Sequence, residues 1–114
     1  MLAVDDDPLI LMNMVDMLEE LGHSVVSASS GKTALVHLDS SRFDLMVTDH
    51  AMPHMSGAQL IKEAQSRFPG MAVMLATGYA ELPPGTNPDL PRLSKPFSLE
   101  DLAKALRNFA VHSR

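Results

Sequence analysis

The chain has 114 residues, a length that suits one domain with a single hydrophobic core. It contains no cysteine, which excludes a disulfide framework and a zinc–thiolate site. Fourteen acidic residues against nine Lys and Arg give a net charge of −5, so we expect neither a nucleic-acid footprint nor a membrane-binding patch. No apolar run is long enough to span a membrane, and the opening does not resemble a signal peptide, so the sequence predicts a cytoplasmic domain.

Apolar segments and amphipathic segments alternate along the chain. Three continuous apolar segments, at residues 2–4, 45–48 and 71–76, are typical of buried strands. Residues 24–28 predict a fourth strand, and residues 92–94 a short fifth. Amphipathic segments predict helices at residues 8–21, 32–40, 56 or 57–68, and 98–109. Asp7 is expected to be the N-cap of the first helix, with Gly22 ending it. Ser98 and Asp101 resemble a capping box at the start of the last helix.

The alternation predicts an α/β fold with a parallel sheet covered by helices on both faces. The segment between the fourth and fifth strands, residues 78–91, contains four prolines and two glycines. Each proline inside a helix costs about 3 kcal/mol, so we expect a loop or a short helix in place of a regular fourth crossover helix.

Polar side chains follow four of the predicted strands. Because ligands of open parallel sheets bind outside the carboxyl ends of the strands, these residues are the candidate site. Carboxylates brought together there would repel one another, and a hard divalent ion with oxygen ligands, most simply Mg²⁺, would offset the repulsion. The candidate residues are Asp5, Asp6, Asp49, Thr77 and Lys95.

Four motifs in this order resemble the receiver domain of two-component response regulators. They are VDDDP at residues 4–8, VTDHAMPHMSG at 47–57, ATG at 76–78 and SKPF at 94–97. The resemblance covers residues 1–114 as one receiver domain. It implies a doubly wound, five-stranded parallel sheet of flavodoxin-like order 2-1-3-4-5.

The resemblance also implies a role for each candidate residue. Asp49 would accept a phosphoryl group from a phosphohistidine of a sensor histidine kinase or a histidine phosphotransfer domain. Thr77 and Lys95 would bind phosphoryl oxygens after transfer. The implied Mg²⁺ ligands are Asp5, Asp6, Asp49 and the backbone carbonyl of Ala51. The phosphorylated domain would then switch its contacts with a downstream protein, without acting as an enzyme on other substrates.

Two departures from the family pattern bear on this reading. The proline-rich segment is typical of single-domain regulators, or of receivers at the C-termini of hybrid sensor kinases, that carry an ATG motif. Arg92 stands where many receivers place a switching aromatic residue, so the usual Thr–aromatic switch is not expected. Homodimerisation, common in the family, stays open.

Two alternatives of other classes also remain at this point. A degenerate receiver could act as an interaction domain independently of phosphorylation. A Mg²⁺-dependent aspartyl-phosphate hydrolase is disfavoured, because Ala51 stands where such enzymes carry a second Asp.

Overall fold

Five parallel strands form a single sheet in the computed structural model, which describes residues 1–50, 52–77, 92–94 and 97–112, with the backbone only at 77, 92, 94 and 108–112. The strands are β1 (Leu2–Val4), β2 (Val26–Ala28), β3 (Leu45–Asp49), β4 (Ala72–Thr77) and β5 (Arg92–Ser94). Their order in the sheet is β2-β1-β3-β4-β5, which confirms the predicted flavodoxin-like order. All four pairings are parallel.

Four helices cover the two faces of the sheet. They are α1 (Pro8–Glu20), α2 (Gly31–Ser40), α3 (Gly57–Arg67) and α4 (Leu99–His112). On one face, side chains of α2 and α3 such as Leu38 and Leu60 pack with Val4 and Leu75 of the strands. On the other face, side chains of α1 and α4 pack around strand residues; this second cluster includes Ala3, Met14, Leu18, Val47, Met74 and Leu102. Neighbouring strand residues point to opposite faces, and helices cover both faces, so the central strands β1 and β3 are buried on both sides.

Helix ends lie close to where the capping residues predict them. One carboxylate oxygen of Asp7 accepts hydrogen bonds from the backbone N–H groups of Leu9 and Ile10 at 2.9 and 3.3 Å, which makes Asp7 the N-cap of α1. Gly22, with φ at +95°, follows the end of that helix. Ser98 and Asp101 exchange reciprocal hydrogen bonds of 3.0 and 3.1 Å, as expected for a capping box.

Two predicted segments differ from or lie beyond the observed elements. β2 spans three residues where five were predicted, and Val26 remains 38 % exposed because β2 is an edge strand with a neighbour on one side only. The predicted loop at 78–91 lies outside the described residues. Among the helices that the structure describes, none is long and apolar enough to cross a membrane.

Candidate functional site

Parallel register brings the acidic residues of the first and third strands to one edge of the sheet. Val4 of β1 pairs with Thr48 of β3, so Asp5 and Asp49 are the next residues on adjacent strands. The backbone N–H of Asp5 donates to the carbonyl of Ala28 at 3.2 Å, which extends the alignment with β2 one residue beyond the strand. The predicted meeting of carboxylates at the carboxyl ends is therefore present.

Asp5, Asp6 and Asp49 form a cluster of three carboxylates. One oxygen from each lies within 4.8 Å of the other two. Asp5 is fully buried and Asp49 is 6 % exposed, whereas Asp6 faces solvent. The burial differs because Asp5 and Asp49 are flanked by neighbouring strands, while Asp6 begins the turn into α1. Two buried carboxylates and one solvent-facing carboxylate leave the cluster open to solvent on the side of Asp6.

The turn after β1 orients this cluster. One oxygen of the Asp5 carboxylate accepts a hydrogen bond from the backbone N–H of Asp7 at 2.9 Å. Asp7 in turn caps α1, so its own carboxylate serves the helix and not the cluster. Of the three consecutive acidic residues, Asp5 and Asp6 belong to the cluster, and Asp7 caps α1 and holds the turn through its N–H.

Repulsion within the cluster is large enough to favour a cation. Two unit charges 4.8 Å apart repel by roughly 3–4 kcal/mol at an effective dielectric constant of 20. Carboxylate oxygens are ligands that Mg²⁺ and Ca²⁺ prefer, and Mg²⁺ is bound through one or two carboxylates together with waters and phosphate oxygens. The donor set therefore fits a hard divalent cation.

The loop after Asp49 returns tightly against the backbone of β3. The N–H of Gly57 donates to the carbonyl of His50 at 2.9 Å, and the hydroxyl of Thr48 donates to the carbonyl of Asp49 at 3.0 Å. A Cβ at position 57 would lie 2.9 Å from the carbonyl carbon of Asp49 and 2.8 Å from a methyl of Leu75. Only glycine allows this approach, and the contact fixes the backbone that carries the Asp49 carboxylate.

α3 starts with a second capping box. Ser56 accepts from the N–H of Gln59 at 3.2 Å, and the Gln59 side chain accepts from the N–H of Ser56 at 2.9 Å. The S-x-x-Q spacing of Ser56 and Gln59 is the sequence signal of this capping box, which was not among the predicted helix caps. The capping box fixes the first turn of α3, and with it Gly57, against Asp49.

The remaining predicted site residues are placed only in part. Ala76 of β4 pairs with Asp49, so the backbone of Thr77 lies one residue further along the neighbouring strand. Thr77 pairs with Ser94 of β5, the residue that precedes Lys95 in sequence. Lys95 and Ala51 lie outside the described residues, as does the side chain of Thr77.

His50, the residue after Asp49, also lies at this end of the sheet. Its side chain is partly buried, and its Nδ1 atom is buried with no hydrogen-bond partner among the described parts of the chain. The backbone N–H of His50 donates to the carbonyl of Ala76 at 3.2 Å, and this hydrogen bond holds the start of the loop against β4.

The family model described as the response regulator receiver domain matches residues 1–107. The chain belongs to this family. Its receiver domain is thus a signalling domain of two-component systems, in which phosphorylation on aspartate is the family property. It is 32 % identical over 114 residues to the response regulator receiver protein CpdR of Brucella abortus, covering 96 % of this chain and 95 % of that protein.

Other relatives place similar receiver domains in longer chains. The domain is 33 % identical over 114 residues to the sensor kinase CckA of Brucella abortus, covering 93 % of this chain but 12 % of that kinase. Among solved structures, a response regulator receiver domain protein from Clostridium thermocellum superimposes with a TM-score of 0.85 at 32 % identity, covering 94 % of this chain and 90 % of the other. The likeness extends over almost the entire receiver fold.

Proposed function

We propose that Asp49 of this receiver domain is the phosphoacceptor, and that its donor is a phosphohistidine of a sensor histidine kinase or a histidine phosphotransfer domain. The observation that carries the proposal is the cluster in which Asp49 lies at the end of β3 with oxygens of Asp5 and Asp6 within 4.8 Å. Membership of the receiver family supports the same assignment.

The proposed transfer uses the Asp49 carboxylate as the nucleophile. One of its oxygens forms a bond to phosphorus as the phosphorus–nitrogen bond of the phosphohistidine breaks. The electron pair of that bond stays on the histidine ring, which then takes a proton, and Asp49 becomes an acyl phosphate. Phosphoryl transfer depends mainly on positioning and on neutralising the charge of the transferred oxygens, so a rigidly held carboxylate beside a cation site is the arrangement it needs.

Asp5, Asp6, Asp49 and the backbone carbonyl of Ala51 are the proposed ligands of a Mg²⁺ ion. When bound, such an ion supplies positive charge to phosphoryl oxygens and offsets the repulsion among the carboxylates. The buried Asp5 carboxylate is held by the N–H of Asp7, so it offers its ligand oxygen in a fixed direction. The exposed Asp6 leaves room for water on its side of the site.

Thr77 and Lys95 are proposed to bind the other phosphoryl oxygens. The backbone of Thr77 ends β4 beside β3, and Lys95 is the next residue in sequence after Ser94, which pairs with Thr77. A hydroxyl donor and an ammonium group would complement the dianionic product. The domain itself would then catalyse both the phosphorylation of Asp49 and the hydrolysis of the resulting acyl phosphate, and it would not act on other substrates.

The readout proposed for the phosphorylated domain is a change in its contacts with other proteins. The similar receiver regions of CpdR and CckA differ in the length of the chain around them. Both a single-domain regulator and a receiver of a hybrid kinase are consistent with the present domain.

Intact-mass spectrometry tests the proposal directly. The protein is incubated with acetyl phosphate with and without Mg²⁺, beside Asp49→Asn and a control, Asp16→Asn, which removes an exposed carboxylate of α1 far from the cluster. The wild type and the control are expected to gain one phosphoryl group only with Mg²⁺, and Asp49→Asn none. An adduct that persists on Asp49→Asn would refute the assignment, and one that forms equally without Mg²⁺ would refute the metal's role.

A negative result with acetyl phosphate is resolved by titrating Mg²⁺ and beryllofluoride and following the amide resonances by NMR. Shifts around Asp5, Asp6 and Asp49 would keep the phosphoacceptor proposal. Unchanged resonances in both titrations would replace it with the interaction-only alternative.

A further inference from the structure

A cleft lies at the end of the sheet where the strands begin, opposite the end that carries the carboxylate cluster. Its lining includes residues that directly precede strands, such as Phe43 and Asp44 before β3 and Met71 before β4. β3 alone has five residues, so the cleft lies about 13 Å or more from Asp49 at the rise of roughly 3.3 Å per residue. The cleft is therefore separate from the proposed phosphorylation site.

The cleft has an apolar floor that reaches both hydrophobic cores. Phe43 and Phe68 are half-buried and pack against the core beneath α2 and α3. Leu45 and Leu106 belong to the core beneath α1 and α4. Because the floor passes from one face of the sheet to the other, an extended ligand can lie along it.

Basic side chains surround this floor, although the chain as a whole carries a net charge of −5. Arg42, Arg67 and Arg107 all line the cleft, against one carboxylate, that of Asp44. These are all the arginines whose side chains the structure describes, and no described lysine is among the lining residues. Arginine is the side chain best suited to pairing with carboxylates through two parallel hydrogen bonds.

The three arginines differ in how far their charge is already compensated. Arg67 contacts both oxygens of Asp39 at 3.1 and 3.2 Å and Glu63 at 3.4 Å. Arg42 and Arg107 are exposed and have no ion-pair partner within the described residues. Arg67 therefore serves mainly to hold α2 and α3 together, and Arg42 and Arg107 are the cations available to a ligand.

We propose that this cleft binds an acidic peptide segment of a partner protein, with a large apolar side chain between Phe43, Phe68 and Leu106 and carboxylates on Arg42 and Arg107. Size favours a peptide over a small molecule. The cleft is partly open to solvent and has a volume of about 1300 Å³, whereas pockets for small molecules measure about 300–1,000 Å³. The charge of the lining selects acidic segments, and the apolar floor selects those with Leu or Phe among their acidic residues.

Fluorescence polarisation with labelled short peptides tests the proposal. One set carries Asp and Glu around Leu and Phe, a second carries Lys in place of the acids, and a third carries Ser in place of Leu and Phe. The first set is expected to bind. Each of the other two sets is expected to bind at least about tenfold more weakly, because the second lacks the carboxylates and the third lacks the large apolar side chains. Comparable binding of the Lys peptides, or no saturable binding of the first set, would overturn the proposal.

Matched variants locate the binding site on the protein. Arg42→Gln and Arg107→Gln are each expected to weaken binding of the acidic peptide by about tenfold. The exposed Lys104, on the same helix as Arg107 but outside the cleft, supplies the control Lys104→Gln, which should bind as the wild type does. Equal losses in Lys104→Gln and Arg107→Gln would reduce the effect to net charge and overturn the proposal. Binding by Asp49→Asn should be unchanged, which separates this test from that of the phosphoacceptor.

Amide chemical shifts distinguish the other possible occupants. The acidic peptide should shift resonances of residues 22–24, 42–45 and 70–72 and leave those of Asp5, Asp6 and Asp49 in place. Shifts at the same amides on raising the protein concentration alone would identify a second copy of the chain as the occupant. Shifts of equal size with decanoate would identify a small-anion site. Either outcome would overturn the peptide proposal.

Discussion

Gly57→Ala is expected to destabilise the domain through the backbone of Asp49. The new Cβ would come within 2.8 Å of a Leu75 methyl and 2.9 Å of the Asp49 carbonyl carbon, against an optimal carbon–carbon separation of about 3.5–4.0 Å. The methyl of Leu75 can turn away, but the Asp49 backbone is held in β3 between two strands. We therefore expect a cost near the upper end for overpacking, about 3 kcal/mol.

The improved helix propensity of alanine offsets about 1 kcal/mol of this cost at most, so the net loss is about 2 kcal/mol. With a urea slope of about 2 kcal/mol per molar, the midpoint of denaturation should fall by about 1 M. The same substitution should slow phosphorylation by acetyl phosphate, because the Asp49 backbone must shift to admit the methyl group. Urea denaturation followed by circular dichroism, and intact mass against time, measure the two effects.

Gly70→Ala is the matched control. No heavy atom lies within 4 Å of a Cβ at that position, and its φ is not in the left-handed region. Its stability should stay within about 0.5 kcal/mol of the wild type or rise slightly. A Gly57→Ala variant with the midpoint of Gly70→Ala would refute the close-contact reasoning.

Substitutions at three further positions, Asp6, Asp7 and Asp101, probe the site and the helix caps. Asp6→Asn should weaken Mg²⁺ binding at least about tenfold in an NMR titration, because one anionic oxygen ligand is lost, whereas Asp16→Asn should not. Asp7→Ala should lower the free energy of unfolding by about 1 kcal/mol, and Asp7→Asn, an equally good N-cap, should restore it. Hydrogen bonds from Ser98 hold the pKa of Asp101 below its usual 3.8. The stabilisation from the Asp101 carboxylate should therefore be present at neutral pH and be lost as pH falls below 3.8. The free energy of unfolding of Asp101→Asn should be lower than that of the wild type at pH 7, and the two should converge in acid. The control Glu100→Gln should show no such convergence.

A specific result would contradict each of these three predictions. Unchanged Mg²⁺ affinity in the Asp6 variant would remove that residue from the ligand set. Equal stability of the alanine and asparagine variants at position 7 would mean that the cap hydrogen bonds contribute nothing to stability. A constant stability difference across the acid range would contradict the depressed pKa of Asp101.

Much of this fold was predictable because local chemistry and sheet topology agree. Val4 and Asp5, or Thr48 and Asp49, mark the points where a buried strand meets polar residues, and parallel topology alone brings those points to one edge. The caps at Asp7 and Ser98 are visible in sequence because they depend on neighbours within three residues. Both kinds of signal are local, and both were confirmed by the structure.

Features that depend on distant parts of the chain were harder to predict. The close approach of Gly57 to Asp49 needs the path of the intervening loop, which no spacing rule gives. β2 came out shorter than predicted because its apolar residues have a single neighbouring strand, and an edge position is a property of the whole sheet. The cleft was not predicted at all, since its arginines come from three segments that only the folded chain brings together.

The central position of β1 has a consequence for how the chain acquires its structure during synthesis. β1 is the first of the five strands to be made, yet Leu2 pairs with both Val26 and Met46, and the face of the sheet that α1 covers in part is completed by α4 near the end of the described chain. A nascent chain that lacks its last helix has α1 alone over that face, without the contributions of Leu102 and Leu106 to its core. We therefore expect folding on the ribosome to be completed only after almost the whole domain has emerged, and a chain stopped before α4 to be a target for chaperones and proteases.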